Sequence, residues 1–206
     1  MKLSIFAAAL LMLCLETLPA VAQTDLYDNG AISRNGPEWT VNFGFAVSDS
    51  FALNSTSTVN GLEFGSVMFP GDVLESAEVS VTSQEFGGTT YFDQNVSFTA
   101  SGCVDNEFGY MVCTQTGSFD GPQLNAGTYW LNLQNAVTNT GDPVYWDENS
   151  GPSLASENTV GTIPSEAFTL LGTASSGTGS TPEPSSIVLF GSGIVGLAGL
   201  LRRKLF

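Results

Sequence analysis

Between positions 23 and 180 the chain carries eighteen Asp and Glu residues against a single cation, Arg34. Two carboxylates at a suitable separation can hydrolyse a glycosidic bond, one acting as acid and the other as nucleophile or base. With so many acids some pair always meets that distance condition, and the residue order does not mark one as holding its proton. Serine-hydrolase chemistry lacks its base, because the chain has no histidine and no Gly-x-Ser-x-Gly turn. The reading is therefore of a protein that is not an enzyme, with a glycan hydrolase using paired carboxylates as the distant alternative.

Binding chemistry has more material. Calcium takes six to eight oxygens from carboxylates, amides and carbonyls. Asp25, Asp28 and Asn29 lie near one loop, and Asp142, Asp147, Glu148 and Asn149 lie around another. A structural calcium held by Asp25, Asp28, Asp142 and Asp147 is one expectation, and solvated acidic turns are the other. The spacing is not that of an EF-hand loop, and no other cofactor is expected. Sugar binding needs an aromatic face flanked by hydrogen-bonding groups. Trp146 follows Tyr145 and precedes a polar run, and Trp130 is out of phase with Tyr129, Leu131 and Leu133. Both are candidates for stacking on a sugar ring, and packing in the core is the alternative for each. Cys103 and Cys113 are the two cysteines of an exported segment and are expected to form a disulfide around a turn at 105–109. Such a short loop is worth about 3 kcal/mol in the chain-entropy model. A metal site or redox pair lacks the supporting His or Cys-x-x-Cys spacing.

Strands must position these groups. Residues 39–47 alternate strictly, with Trp39, Val41, Phe43, Phe45 and Val47 on one face, which predicts one half-buried strand. Further β-prone runs fall at 57–64, 65–69, 76–82, 89–99, 110–116, 128–133, 144–146 and 166–171, and Pro70-Gly71-Asp72 predicts a turn. No segment from 23 to 180 keeps an apolar period near 3.6 for more than two turns. Short strands between Gly-rich turns predict an all-β antiparallel sandwich over 23–171, followed by a Gly/Ser/Thr linker at 172–180.

Both ends read as addresses. Lys2, an apolar run at 3–15 and Ala20-Val21-Ala22 predict a signal peptide over 1–22 with cleavage before Gln23. At the other end Pro182-Glu183-Pro184 precedes an uncharged run at 187–201 and the basic cluster Arg202-Arg203-Lys204. Fifteen helical residues reach about 22 Å, short of a ~30 Å hydrocarbon core, so the predicted transmembrane helix is a short one. The basic cluster keeps its own side cytoplasmic and the bulk of the chain outside.

The order of Pro-Glu-Pro, apolar span and Arg-rich terminus over 181–206 resembles the PEP-CTERM sorting signal of Gram-negative bacteria, with Thr181 where Val is usual. The resemblance implies recognition by an exosortase, cutting near the Pro-Glu-Pro motif, transient membrane anchoring, and a final place at the cell surface or in the extracellular matrix, often beside exopolysaccharide. A second resemblance is softer. Leu26-Tyr-Asp-Asn-Gly30, Val47-Ser-Asp-Ser-Phe-Ala-Leu53, Thr58-Val-Asn-Gly-Leu-Glu-Phe64 and Leu124-Asn-Ala-Gly-Thr-Tyr-Trp-Leu131 are similar to segments of secreted bacterial jelly-roll domains. That likeness implies the architecture of a carbohydrate-binding module and transfers no ligand residues. Nucleic acid is excluded as a partner, since its affinity rests on cations that neutralise phosphates, and four of the five cations lie in the two addressing segments.

Overall fold

The structure is a computed structural model, and it describes residues 23–175. The predicted signal peptide, the Pro182-Glu183-Pro184 motif, the span at 187–201 and the Arg202-Arg203-Lys204 cluster lie outside the described residues. Thirteen strands make up the rest: β1 (Thr24–Asp28), β2 (Glu38–Thr40), β3 (Ala46–Leu53), β4 (Ser57–Met68), β5 (Leu74–Gln84), β6 (Gly87–Asp105), β7 (Met111–Ser118), β8 (Gln123–Leu124), β9 (Gly127–Thr138), β10 (Tyr145–Asp147), β11 (Ala155–Glu157), β12 (Gly161–Ile163) and β13 (Phe168–Ala174). No helix occurs among the described residues. The all-β antiparallel expectation is met.

The strands form one continuous sheet in the order β1-β13-β4-β7-β6-β5-β9-β3-β11-β12, with β10 and β8 also paired to β4, and β2 to β10. The sheet curls through β6. Residues up to Ser97 pair with β5, and from Phe98 onward the same strand pairs with β7. Gly117 on β7 permits this crossover, because a Cβ there would meet the Phe98 ring and the Val96 side chain at 2.6–2.8 Å. The two halves enclose one core. Leu62, Phe64, Phe98 and Leu170 come from one half, and Val47, Phe51, Val79, Val81, Leu131 and Leu133 from the other. Period-two alternation places these side chains inward.

Two sequence expectations are corrected. The strand predicted over residues 39–47 is broken into β2 and the start of β3. The Asn42 carbonyl accepts the Phe45 N–H at 3.1 Å, and Phe43 and Gly44 turn through φ of 57° and 90°. The Asn42 side chain bridges to the neighbouring segment, accepting from the Val144 N–H and donating to the Asp142 carbonyl. Phe43 is consequently 64 % exposed, whereas Val41 is buried. The predicted linker starts too early, since β13 runs through Gly172, Thr173 and Ala174, paired with Val59, Thr58 and Ser57.

The Cys103–Cys113 disulfide is present, joining the end of β6 to β7. The turn between them is held by Asn106, whose side-chain oxygen accepts the Phe108 and Tyr110 N–H groups at 3.0 and 2.9 Å. Replacing both cysteines with serine is expected to lower Tm by roughly 6–12 °C, the equivalent of about 3 kcal/mol. A melt of the double variant beside the oxidised parent checks this.

Candidate functional site

The segment after β1 crosses the outer face of β4 and is tied down at both ends. Asn29 anchors its start. The Asn29 N–H donates to the Phe168 carbonyl at 2.9 Å, and the Asn29 carbonyl accepts from the Asn149 amide at 2.8 Å. The Asn29 side-chain nitrogen lies 3.2 Å from Asp49 Oδ2, 2.7 Å from Ser153 Oγ, 2.6 Å from Ser165 Oγ and 2.7 Å from the Glu166 carbonyl. Asp147 anchors the far end, accepting from the Ser33 N–H at 2.6 Å and the Ser33 hydroxyl at 3.2 Å. Between these anchors Ile32 lies over Gly65, where a Cβ would come within 2.9 Å of Ile32 Cγ1 and 3.1 Å of Asp147 Cβ. This covering buries the outer face of β4 at Gly65.

A groove of about 390 Å³ runs along this segment, lined by Asp28, Arg34, Glu63, Thr114 and Thr169 together with Gly30, Ala31, Ile32, Phe64, Gly65, Ala167 and Phe168. Glu63 faces out of the sheet, since its neighbours Leu62 and Phe64 are core residues, and it accepts from the Thr116 hydroxyl at 3.1 Å. Arg34 is exposed and adopts φ of 68°, a left-handed conformation uncommon outside glycine and found often at functional sites. The groove thus places the domain's one cation among carboxylates, hydroxyls and apolar side chains. Such a lining can hydrogen-bond a polyhydroxylated ligand on several sides.

Beside it, inside the sheet, lies a buried acidic pair. Asp49 shares the inward phase of Val47, Phe51 and Leu53 on β3. Glu166 shares the phase of Phe168 and Leu170. The Glu166 N–H donates to Asp49 Oδ2 at 2.8 Å, and both residues are wholly buried. Burial pushes the Asp49 carboxyl up to about 6, against hydrogen bonds from Ser153, Glu166, Ser50 and Asn29 that act the other way. Burial, followed by the charges of Asp49, Glu148 and Asp147, holds Glu166 well above the ordinary glutamate range. Asp147 is also raised, first by burial, with the Ser33 hydrogen bonds opposing.

The residues singled out from sequence are placed differently. Trp146 does not offer a stacking surface. It is 0 % exposed, lies edge-on to Phe64 and Phe168, and donates its indole N–H to the Ala167 carbonyl at 2.9 Å. Trp130 does point outward, opposite in phase to Tyr129 and Leu131, and is half-buried between Ser50 and Thr82 on the adjoining strands. The four acids expected to share calcium do not converge, and no group of three His, Cys, Asp or Glu side chains suited to a metal occurs among the described residues. Asp25 and Asp28 are exposed on β1, and Asp28 caps the Gly30 N–H. Asp142 sits on the loop held by Asn42 and Thr138, and the Asp147 oxygens are occupied by Ser33. Asp49, Glu166, Arg34 and Glu63 were not singled out as site residues. For the first two a signal existed in the sequence, namely an acid standing in phase with core residues of its strand.

Comparison with known proteins gives one family match: the model of the PEP-CTERM protein-sorting motif matches residues 180–204. No curated protein matches the chain. The motif marks an extracellular protein sorted by an exosortase, with export and transient membrane anchoring before delivery to the surface.

Proposed function

We propose that this chain is a non-enzymatic surface or matrix protein that associates with exopolysaccharide once the exosortase has processed it, on a scaffold that is a jelly-roll-like sandwich. The observation that carries this reading is the groove at Asp28, Arg34, Glu63, Thr114 and Thr169, which presents donors and acceptors of both signs on the outer face of a rigid sheet. The acids support binding over hydrolysis. A glycosidase needs its proton-holding carboxyl against the scissile bond, and Asp49 and Glu166, whose protonated forms burial favours, are sealed from solvent.

The test is co-sedimentation of the protein with exopolysaccharide purified from the exosortase-bearing cells that export it. Arg34→Ala and Glu63→Gln, both on the outer face, are each expected to weaken retention about tenfold, as loss of a charged hydrogen-bonding group from a binding site does. Retention unaltered by both changes removes the groove from the reading, and no retention of the parent protein removes the association itself.

A second reading is a carbohydrate-binding module that uses Trp130. Its support is the outward, half-buried indole among Ser50, Thr82 and Asn132. Loss of retention in Trp130→Ala with the groove variants unaffected would favour it.

A further inference from the structure

We propose that Asn29 and Ser165 join through a side-chain ester, formed by the folded chain itself with loss of ammonia. The link clasps the segment leaving β1 to the segment entering β13, and it does not depend on whether the groove binds glycan.

Crowding around one amide leads to it. Asn29 is wholly buried, and its side-chain nitrogen has four oxygens within 3.2 Å but only two hydrogens to offer them. Two of those contacts go without a hydrogen of their own. The nearest oxygen is Ser165 Oγ, at 2.6 Å, from a residue 136 positions away. The amide C–N bond adds about 1.3 Å, so this oxygen lies no more than about 3.9 Å from the Asn29 side-chain carbonyl carbon. Attack on a carbonyl starts from about 3–3.5 Å, a gap that rotation of the serine side chain closes.

The other groups that acyl transfer needs surround the same amide. The Tyr27 hydroxyl donates at 2.8 Å to Asn29 Oδ1, the atom on which negative charge develops when the carbonyl is attacked. Ser165 Oγ is 2.6 Å from Ser153 Oγ, and Ser153 is hydrogen-bonded to Asp49. A proton leaving Ser165 therefore has a path through Ser153 to the Asp49 carboxylate, which acts as general base. Asp49 Oδ2 also lies 3.2 Å from the Asn29 side-chain nitrogen, where it can return the proton to the leaving group. With its carboxyl at about 6, Asp49 is mostly ionised at neutral pH and still basic enough to accept that proton. Of the two serines, Ser165 is the buried one, whereas Ser153 is half-buried and holds Asp49.

The step balances without an added reactant. The Ser165 O–H proton passes through Ser153 to Asp49, and the oxygen electron pair forms a bond to the Asn29 carbonyl carbon. Tyr27 holds the tetrahedral oxyanion. The C–N bond breaks as that intermediate collapses, Asp49 returns the proton to the nitrogen, and ammonia leaves. Burial of Asn29, Asp49, Ser165 and Glu166 then keeps water from the ester. An Asn-Gly pair has a competing reaction, attack by the glycine nitrogen to give a succinimide, but the Gly30 N–H is engaged by Asp28 Oδ1 at 2.8 Å.

The position gives the link a consequence. β1 is the outermost strand of its half and pairs only with β13. A strand held on one side by five residues is the first to peel from a sheet. The ester fixes the residue after β1 to one just ahead of β13, so β1 stays in place until a covalent bond breaks.

The test is mass spectrometry of the folded full chain, reduced so that the disulfide does not contribute. The parent is expected to be lighter by one ammonia than Ser165→Ala, beyond the oxygen removed by the substitution. A digest of the parent is expected to give one peptide pair joined between Asn29 and Ser165 and released by hydroxylamine. Tyr27→Phe is expected to slow formation roughly a hundredfold during refolding, and Asp49→Asn to stop it. Separate Asn29 and Ser165 peptides in the parent overturn the proposal. So does an ammonia loss as large in folded Ser165→Ala as in the parent, which marks a succinimide at Asn29 or a cyclised Gln23. Should Ser165→Ala not fold, the parent's peptides decide alone: joined, they uphold the link, and separate, they overturn it.

Discussion

Trp146→Ala is expected to cost about 3–5 kcal/mol and to lower Tm by roughly 10–15 °C. The indole is the largest fully buried side chain of the core. It fills the space between Phe64 and Phe168, at ring-centroid distances of 6.1 and 5.6 Å, and both contacts are edge-on. Truncation leaves a cavity that neighbouring strands close only in part, because β10 is paired on one side to β2 and on the other to β4. It also strips the Ala167 carbonyl of its indole donor. A urea or thermal melt measures the loss. Trp130→Ala, by contrast, is expected to shift Tm by only a few degrees, since its side chain is half-buried on the outer face. A Tm for Trp146→Ala within about 3 °C of the parent would contradict the packing described here. The practical consequence concerns glycan binding: a loss of retention in Trp146→Ala reports unfolding, whereas one in Trp130→Ala reports contact.

The second large effect is a fall in stability with rising pH. Asp49 titrates at about 6 in the folded protein, above its unfolded value, and Glu166 is displaced in the same direction. The folded state therefore holds protons that the unfolded state has already released. The contribution is fully present below about pH 4 and is lost as pH rises through 6 for Asp49, with a Glu166 loss of the same sign. At about 1.4 kcal/mol for each pH unit of displacement, Asp49 alone accounts for roughly 2–3 kcal/mol between pH 4 and pH 8. Melts at pH 5 and pH 8 should show the higher Tm at pH 5. Asp49→Asn/Glu166→Gln should flatten the difference, since neither amide titrates. A Tm that climbs from pH 5 to pH 8 would mean that the two acids are ionised and well solvated in the folded chain. Self-repulsion among eighteen acids works in the same direction as the pair, but salt weakens it and leaves the buried contribution in place.

Much of the architecture was legible because it is written in short-range pattern. Alternation through Ala77, Val79 and Val81, or through Tyr129, Leu131 and Leu133, places side chains on one face whatever lies beyond it, and β5 and β9 follow. The Pro70-Gly71 turn forms where it was expected, with Gly71 at φ of 93°. Where local pattern failed, a distant partner outweighed it. The alternation from Trp39 to Val47 reads as a single strand, yet Asn42 bonds to residues about a hundred positions away and the chain turns there. The predicted linker lost its first three residues to β13 because Gly172, Thr173 and Ala174 find open pairing sites on β4.

The candidate site divides the same way. The sorting motif, the acid excess and the Cys103–Cys113 pair are properties of order and composition, so the sequence by itself determined the address and the disulfide. Period two says which residues share a face of a strand, but not whether that face turns toward core or solvent at a given end. Tertiary structure alone decided that Trp146 is inside, that Arg34 and Glu63 border one groove, and that Asp49 meets Glu166 across a separation of 117 positions. Burial and charge proximity depend on which chain segments the curled sheet brings together, and no local pattern carries that information.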